Sequence, residues 1–219
     1  MKLTEIKGVY KEKNQLFTEN LKECKGMRVY GEKIIKYKNR EYRSWNPFRS
    51  KLAAAILNGM DFDINPNHKL LYLGASTGTT VSHLSDIVFN GLIYAVEISP
   101  ISMKKLLINS KKRKNIIPIL SDANHPDFYK SIIDKVDLIY QDISQRNQAD
   151  IFINNVKNFL KKNGSGIFMV KSRNIDVTIE PDRIYKNICK YLEENNLEIV
   201  DIFDLMPFER DHKAVFVKI

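Results

Sequence analysis

From Lys69 onward, short apolar runs alternate with longer stretches in which apolar residues recur at helical spacing. Leu70–Leu73, Leu92–Val96, Ile116–Leu120, Val136–Tyr140 and Gly166–Val170 are rich in Ile, Leu and Val and apolar almost throughout. Strands buried on both faces of a parallel sheet have this pattern. Between them lie Thr79–Val88, Pro100–Ser110, Pro126–Ile133, Gln148–Leu160 and, later, Pro181–Glu194, each long enough for a crossover helix. The alternation predicts βαβ units and a doubly wound α/β sheet. The tail departs from it, because Glu198–Leu205 and Ala214–Ile219 are strand-like and joined only by a turn around Pro207–His212. So short a connection makes the last strand antiparallel.

Residues 1–45 carry short alternating stretches instead, among them Ile6–Tyr10, Met27–Tyr30 and Lys33–Tyr37, separated by Gly26, Gly31 and Asn39. These predict antiparallel strands and hairpins. At Asn46 the pattern changes: Asn46 suits a cap, Pro47 a first helical turn, Leu52–Leu57 an apolar face and Gly59 a stop. A helix over about 47–58 follows. The expected division is a small β-rich N-terminal domain, residues 1–45, before a larger domain over 46–219.

Composition narrows the class. With 219 residues, 43% of them hydrophobic and 28% charged, the chain can bury a real core and is neither disordered nor fibrous. Its longest apolar runs fall far short of the about 20 residues that span a bilayer, so no membrane span is expected. Met1–Glu5 is too charged for a secretory signal, and an intracellular protein is expected. Cys24 and Cys189 lack a paired spacing and read as small core residues. His68, His83 and His125 show no ligand spacing, so no metal is expected.

The net charge of +9 is unevenly placed: residues 1–50 hold thirteen basic and six acidic side chains. A basic surface attracts polyphosphates, nucleic acid first among them. Lysines such as Lys7, Lys11, Lys13, Lys33, Lys36 and Lys38 are equally consistent with the wet side of a small sheet, and charge alone leaves both readings open. Lys111–Lys114 reads as the solvated end of a helix.

In an open α/β sheet the ligand crevice lies at the carboxyl ends of the strands. The first predicted strand of the larger domain runs into Gly74-Ala75-Ser76-Thr77-Gly78-Thr79-Thr80, the second ends at Glu97, the third at Asp122 and the fourth at Asp142. Any one of these carboxylates has an ordinary explanation as a cap or strand end. Together they line an acidic crevice, and Glu97 stands where a carboxylate binds ribose hydroxyls. Gly74 and Gly78 do not make a G-x-G-x-x-G fingerprint, which weakens a dehydrogenase reading. An acid-rich rim suits a cationic sulfonium and an adenosine better than a pyrophosphate, so S-adenosylmethionine is the expected cofactor.

Longer segments sharpen this reading. Tyr42-Arg43-Ser44-Trp45-Asn46-Pro47-Phe48-Arg49-Ser50-Lys51-Leu52-Ala53-Ala54-Ala55, Leu71-Tyr72-Leu73-Gly74-Ala75-Ser76-Thr77-Gly78-Thr79-Thr80, Asn115-Ile116-Ile117-Pro118 and Glu209-Arg210-Asp211-His212 occur in order. In them the chain resembles fibrillarin, the methyltransferase of box C/D guide ribonucleoproteins, over nearly everything from Glu32 to the C-terminus. The resemblance implies a Rossmann-like S-adenosylmethionine-dependent methyltransferase sheet behind a small β-rich N-terminal domain, with an RNA ribose 2′-hydroxyl as acceptor. Carried over by motif, Gly74, Ala75, Thr79, Thr80, Glu97, Ile98, Asp122, Ala123, Asp142, Ile143, Ser144 and Gln145 would bind the donor. The family's catalytic tetrad falls on Lys51, Asp142, Lys171 and His212. Arg49, Lys51, Lys171 and Arg173 are the candidate RNA contacts, with Arg49 and Arg173 equally consistent with a surface ion network.

The resemblance also implies a box C/D guide RNA, target rRNA and possibly tRNA, a Nop-family scaffold and a kink-turn-binding protein, with no membrane and no metal. Two departures stand out: Ile143-Ser144-Gln145-Arg146 follows Asp142 where relatives read Val-Ala-Gln-Pro, and Ile101 replaces a common arginine. The Gly/Arg-rich extension of eukaryotic members is absent, which favours an archaeal-type, cytoplasmic protein over a nucleolar one.

The predicted fold brings the tetrad together without the resemblance. Asp142 and Lys171 follow parallel strands, Lys51 lies on the helix leading into the sheet, and His212 starts the antiparallel strand, whose beginning lies beside the others' ends. Methyl transfer needs alignment of the oxygen and removal of its proton. Lys171 is the expected base or holder of the 2′-oxygen, Asp142 its orienting group, and Lys51 and His212 position nucleotide and phosphate; His212 is the rival base. Taken singly, each of these side chains also fits a solvent-facing or turn position. Two other readings stand beside RNA methylation: a protein methyltransferase, such as a histone glutamine methyltransferase, and a non-catalytic RNA-binding subunit.

Overall fold

A computed structural model describes residues 1–219. Five short strands open the chain: β1 (Lys2–Leu3), β2 (Val9–Glu12), β3 (Gln15–Glu19), β4 (Ile34–Tyr37) and β5 (Arg40–Trp45). They form an antiparallel sheet in the order β1-β2-β3-β5-β4. Lys38 and Asn39, both at positive φ, make the two-residue turn between β4 and β5, the twist that suits a tight hairpin.

The expectations for this region shift in detail. Met27–Tyr30 is a loop, because the Val29 and Tyr30 amides donate to the Glu32 carboxylate at 3.0 and 2.9 Å rather than to a neighbouring strand. The predicted Ile6–Tyr10 strand begins only at Val9, and β3 and β5, neither singled out from the sequence, join the two hairpins.

Helix α1 (Lys51–Leu57) begins four residues later than Asn46 and Pro47 suggest. Asn46 instead makes a turn, accepting from the Phe48 amide at 2.9 Å, and Ser50 caps the helix by accepting from Ala53 N. There follow β6 (Lys69–Leu73), α2 (Thr79–Ile87), β7 (Leu92–Glu97), α3 (Pro100–Ser110), β8 (Ile116–Leu120), β9 (Val136–Gln141), α4 (Gln148–Phe159), β10 (Leu160–Lys171), α5 (Ser172–Ile175), α6 (Pro181–Glu194), β11 (Glu198–Asp204) and β12 (His212–Lys218). The predicted helix at Pro126–Ile133 is only a 3₁₀ turn at Pro126–Phe128 followed by another turn. Tyr129 and Ile133 mimic a helical face at spacing four, but the backbone bonds run i to i+3, from Tyr129 N to Pro126 O and from Ile132 N to Tyr129 O.

The larger sheet has the order β11-β12-β10-β9-β6-β7-β8, parallel except for β12. Helices α1, α2 and α3 cover one face and α4 and α6 the other. Strand order reverses between β6 and β9, so the crevice forms outside their carboxyl ends.

The N-terminal sheet is fastened to the α2 face by apolar and ionic contacts. Ile6, Val9, Leu16 and Trp45 share a core with Leu84, Ile87 and Val88. Beside them lies a buried ion cluster: Arg43 pairs with Glu32 at 2.6 Å and Asp86 at 2.8 Å, and Arg113 pairs with Asp86 at 2.5 Å. Arg113 is therefore not part of the wet helix end its neighbours suggest, being only 2% exposed. His83 sits against Thr18, at 2.7 Å, and the Tyr30 hydroxyl, at 2.8 Å, under the stacked Trp45 ring. Burial and the two guanidiniums hold its pKa well below the usual imidazole value.

Candidate active site

Each parallel strand delivers a side chain to the same rim because each ends there. Gly74 follows the end of β6, with a φ of +83°. A Cβ at this position would collide with the carbonyl oxygen of Asp142, so only glycine lets the β6 and β9 loops meet. The Asp142 amide in turn donates to Leu73 O at 2.9 Å, and Gly74 and Ala75 both donate to Val96 O at 3.0 Å. The three loops are thereby locked at the switch point.

The carboxylate of Asp142 stands between two amines: Lys171 Nζ at 2.8 Å and Lys51 Nζ at 3.3 Å. Burial pushes the Asp142 pKa up, but Lys171 and Lys51 outweigh it and hold the carboxyl below its ordinary value. Lys171 is only 8% exposed, so its ammonium needs partners. It has a second one in Ser144 Oγ, which accepts from Nζ at 2.5 Å. Lys51 is set by the helix cap before it, since Ser50 Oγ lies 2.9 Å from Thr80 Oγ1 at the start of α2.

His212 is the register partner of Lys171 across the antiparallel β10–β12 pair. Its Nδ1 lies 2.6 Å from Arg210 O. A carbonyl only accepts, so Nδ1 carries the hydrogen and Nε2 the free lone pair. Burial, with Lys51 and Lys171 acting in the same direction, lowers its pKa despite the bond to Arg210.

The crevice to one side holds the remaining sequence-predicted positions. Glu97 Oε2 accepts from Ser76 N at 2.7 Å and Oε1 from Ser99 N at 2.8 Å, which fixes the carboxylate at the end of β7. Ile98 is 53% exposed beside it, an apolar surface next to a charged one. Asp122 Oδ1 accepts from Asn124, which donates onward to Gln145 Oε1 at 2.8 Å. Asp122 Oδ2 and the amide of buried Ala123 make no hydrogen bond within the protein, leaving an acceptor and a donor side by side. Thr79 and Thr80 open α2, Ile143 approaches Gly74, and Ser144 meets Lys171.

Arg49 and Arg173 lie outside the ion cluster. Arg49 is exposed and forms no ion pair, whereas Arg173 pairs with Asp211 at 3.1 Å. One residue escaped the sequence reading altogether. Gln148, fully buried at the start of α4, accepts from Lys171 N at 3.0 Å and donates to Lys171 O at 3.2 Å and Gln145 O at 3.1 Å. An amide that satisfies both backbone groups of a catalytic candidate is visible only once β10 and α4 are side by side. Its one sequence signal is a glutamine on the apolar face of a helix.

Known proteins resemble this chain over nearly its whole length. The family model described as Fibrillarin matches residues 1–219. The chain is 52% identical over 196 residues to a fibrillarin-like rRNA/tRNA 2′-O-methyltransferase of Methanocaldococcus jannaschii, covering 89% of this chain and 85% of that one. It is similar in structure to Aeropyrum pernix fibrillarin with natively bound S-adenosyl-L-methionine, at a TM-score of 0.88 and 41% identity over 99% of this chain and 96% of that one. A fibrillarin/Nop5p complex matches at a TM-score of 0.91 and 44% identity, over 100% and 99% of the two chains.

Proposed function

The chain belongs to the fibrillarin family, and on that premise we propose that it methylates RNA ribose 2′-hydroxyls from S-adenosylmethionine, as a subunit of a guide ribonucleoprotein. The observation that carries this reading is the Asp142 carboxylate held between Lys51 and Lys171, with His212 opposite Lys171, at the switch point of the sheet.

The crevice fits the donor. Glu97 suits the ribose hydroxyls, the free Asp122 oxygen and Ala123 amide suit the edge of an adenine, and Ile98 offers it an apolar surface. Gly74, Ala75, Thr79, Thr80, Ile143, Ser144 and Gln145 complete the binding set. When bound, S-adenosylmethionine supplies an electrophilic methyl group on a sulfonium sulfur.

Both groups that Lys171 Nζ meets, Asp142 and Ser144, are acceptors, so the amine acts as a donor and its remaining hydrogen holds the acceptor oxygen. His212 Nε2 takes the 2′-hydroxyl proton as the oxygen attacks. Asp142 keeps the two lysines apart, and Lys51 positions the nucleotide. Arg49, with Arg173 once released from Asp211, contacts RNA phosphates at the rim.

The partners follow from the same reading. A Nop-family scaffold fits the similarity to the fibrillarin/Nop5p complex, while a box C/D guide RNA and a kink-turn-binding protein would supply the choice of nucleotide. No helix is long and apolar enough to cross a membrane; with archaeal relatives, the cytoplasm is the proposed location. Methyl transfer from labelled donor to target RNA, with guide and partner proteins present, is the test. Label on a ribose 2′-oxygen is expected; label on protein side chains alone overturns the reading.

A further inference from the structure

A cleft of about 1070 Å³ opens between the N-terminal sheet and the end of α2. Its floor includes Pro66, Asn90 and Asn115, which stand just before β6, β7 and β8. The candidate active site lies just after those strands. Strands of five or six residues at about 3.3 Å each separate the two by about 17–20 Å, so the cleft is on the opposite edge of the sheet.

The charge in this cleft is uncompensated. Lys7, Lys22, Lys25 and Lys38 line one wall and Lys112 and Lys114 the other; all six are exposed and none forms an ion pair. Two of the acids among them are paired with cations, Glu19 with Arg40 and Asp86 with Arg43 and Arg113. Glu23 and Glu41, the latter bonded only to the neutral Gly26 and Asn20 amides, keep their charge, so six unpaired lysines face two carboxylates. Four of these lysines belong to the basic N-terminal segment and take no part in the active site.

We propose that this cleft is a second RNA-binding site, one that grips the phosphate backbone without reading bases. Its lysines are point charges on flexible stems rather than the planar forks that read base edges. Few of the lining residues are hydrophobic, unlike those of small-ligand pockets. RNA seated here cannot place the same nucleotides at Lys171. The cleft holds a flanking segment, and its occupancy does not depend on the methylation chemistry.

The test is a titration of a short labelled single-stranded RNA against the full chain over a range of KCl concentrations. Lys22, Lys25, Lys112 and Lys114 are changed together to alanine; a second variant carries Lys130→Ala, Lys162→Ala, Lys186→Ala and Lys218→Ala, equal in charge but outside the cleft. Each lost phosphate contact lowers the slope of log affinity against log salt by about 0.7. The cleft variant is expected to lose about 3 from that slope and at least about tenfold in low-salt affinity. The control keeps most of both, and S-adenosylmethionine binds all three proteins equally. An unchanged slope in the cleft variant, or equal losses in both, overturns the proposal. So does tighter binding of a polyglutamate peptide than of RNA through the same four lysines, which would assign the cleft to an acidic protein.

Discussion

Lys171 and His212 are paired in register across β10 and β12, so a buried amine and an imidazole share one face of the sheet. In the proposed mechanism the two divide the labour of proton transfer. If His212 is the base, its neutral form is the active one, and the rate falls as pH drops through a value below imidazole's ordinary 6.5. His212→Ala is expected to cost about 10²–10⁴ in the rate of transfer and to erase that acid limb. Lys171→Met also slows transfer, but the limb persists. A pH–rate profile of both variants separates the roles; an intact limb in His212→Ala would remove histidine from the mechanism.

Asp142 separates two like charges, and its removal has a consequence at each. In Asp142→Asn, Lys51 and Lys171 face each other without a counter-charge, and methyl transfer is expected to fall at least about 100-fold. The carboxyl pKa is lower in the folded chain, so Asp142 contributes stability that is present above the unfolded value near 3.8 and lost as pH falls through the folded one. Denaturant melts of parent and variant should therefore converge in strong acid and differ at neutral pH.

Gly74→Ala places a methyl group against the Asp142 carbonyl at a positive φ. The strain is on the order of 1–3 kcal/mol, and relieving it forces the β6 and β9 loops apart. Donor affinity measured by calorimetry should drop sharply. A variant that binds S-adenosylmethionine as the parent does would show that the close approach is not needed.

Gln148→Leu removes the amide that satisfies Lys171 N and O. Leaving those groups unpaired in the interior costs about 1–3 kcal/mol, and the Lys171 side chain loses its fixed origin. The maximal rate should fall well beyond any change in donor affinity. Equal losses in both would instead mean a general loosening of the crevice.

Asp86 neutralises two buried guanidiniums that join the N-terminal sheet to α2. Asp86→Ala is expected to cost about 3–5 kcal/mol in a denaturant melt, because buried Arg113 loses its carboxylate partner and Arg43 keeps only Glu32. His83 in the same cluster stays neutral in the fold, whereas an unfolded imidazole takes a proton below about pH 6.5. Stability in the parent should therefore decline as pH falls below that value, and His83→Asn should flatten the decline.

What was legible in the chain is what repeats or lies close in sequence. The continuous apolar runs from Leu70 to Val170 marked the parallel strands, because a strand buried on both faces tolerates little else. The short turn before Ala214 marked the antiparallel end. From strand order alone, Lys51, Asp142, Lys171 and His212 could be expected at one rim, and the ion pairs place Lys51, Asp142 and Lys171 there.

Side-chain partnerships that apolar periodicity does not report decided the rest. Arg113 reads as solvated among its lysines but pairs with buried Asp86; Met27–Tyr30 reads as a strand but gives its amides to Glu32; Gln148 has a partner only because β10 lies alongside α4. Periodicity reports which face of an element is apolar, since that depends only on neighbours in the chain. A buried polar group is stabilised by whatever the fold brings against it, and that partner can lie a hundred residues away.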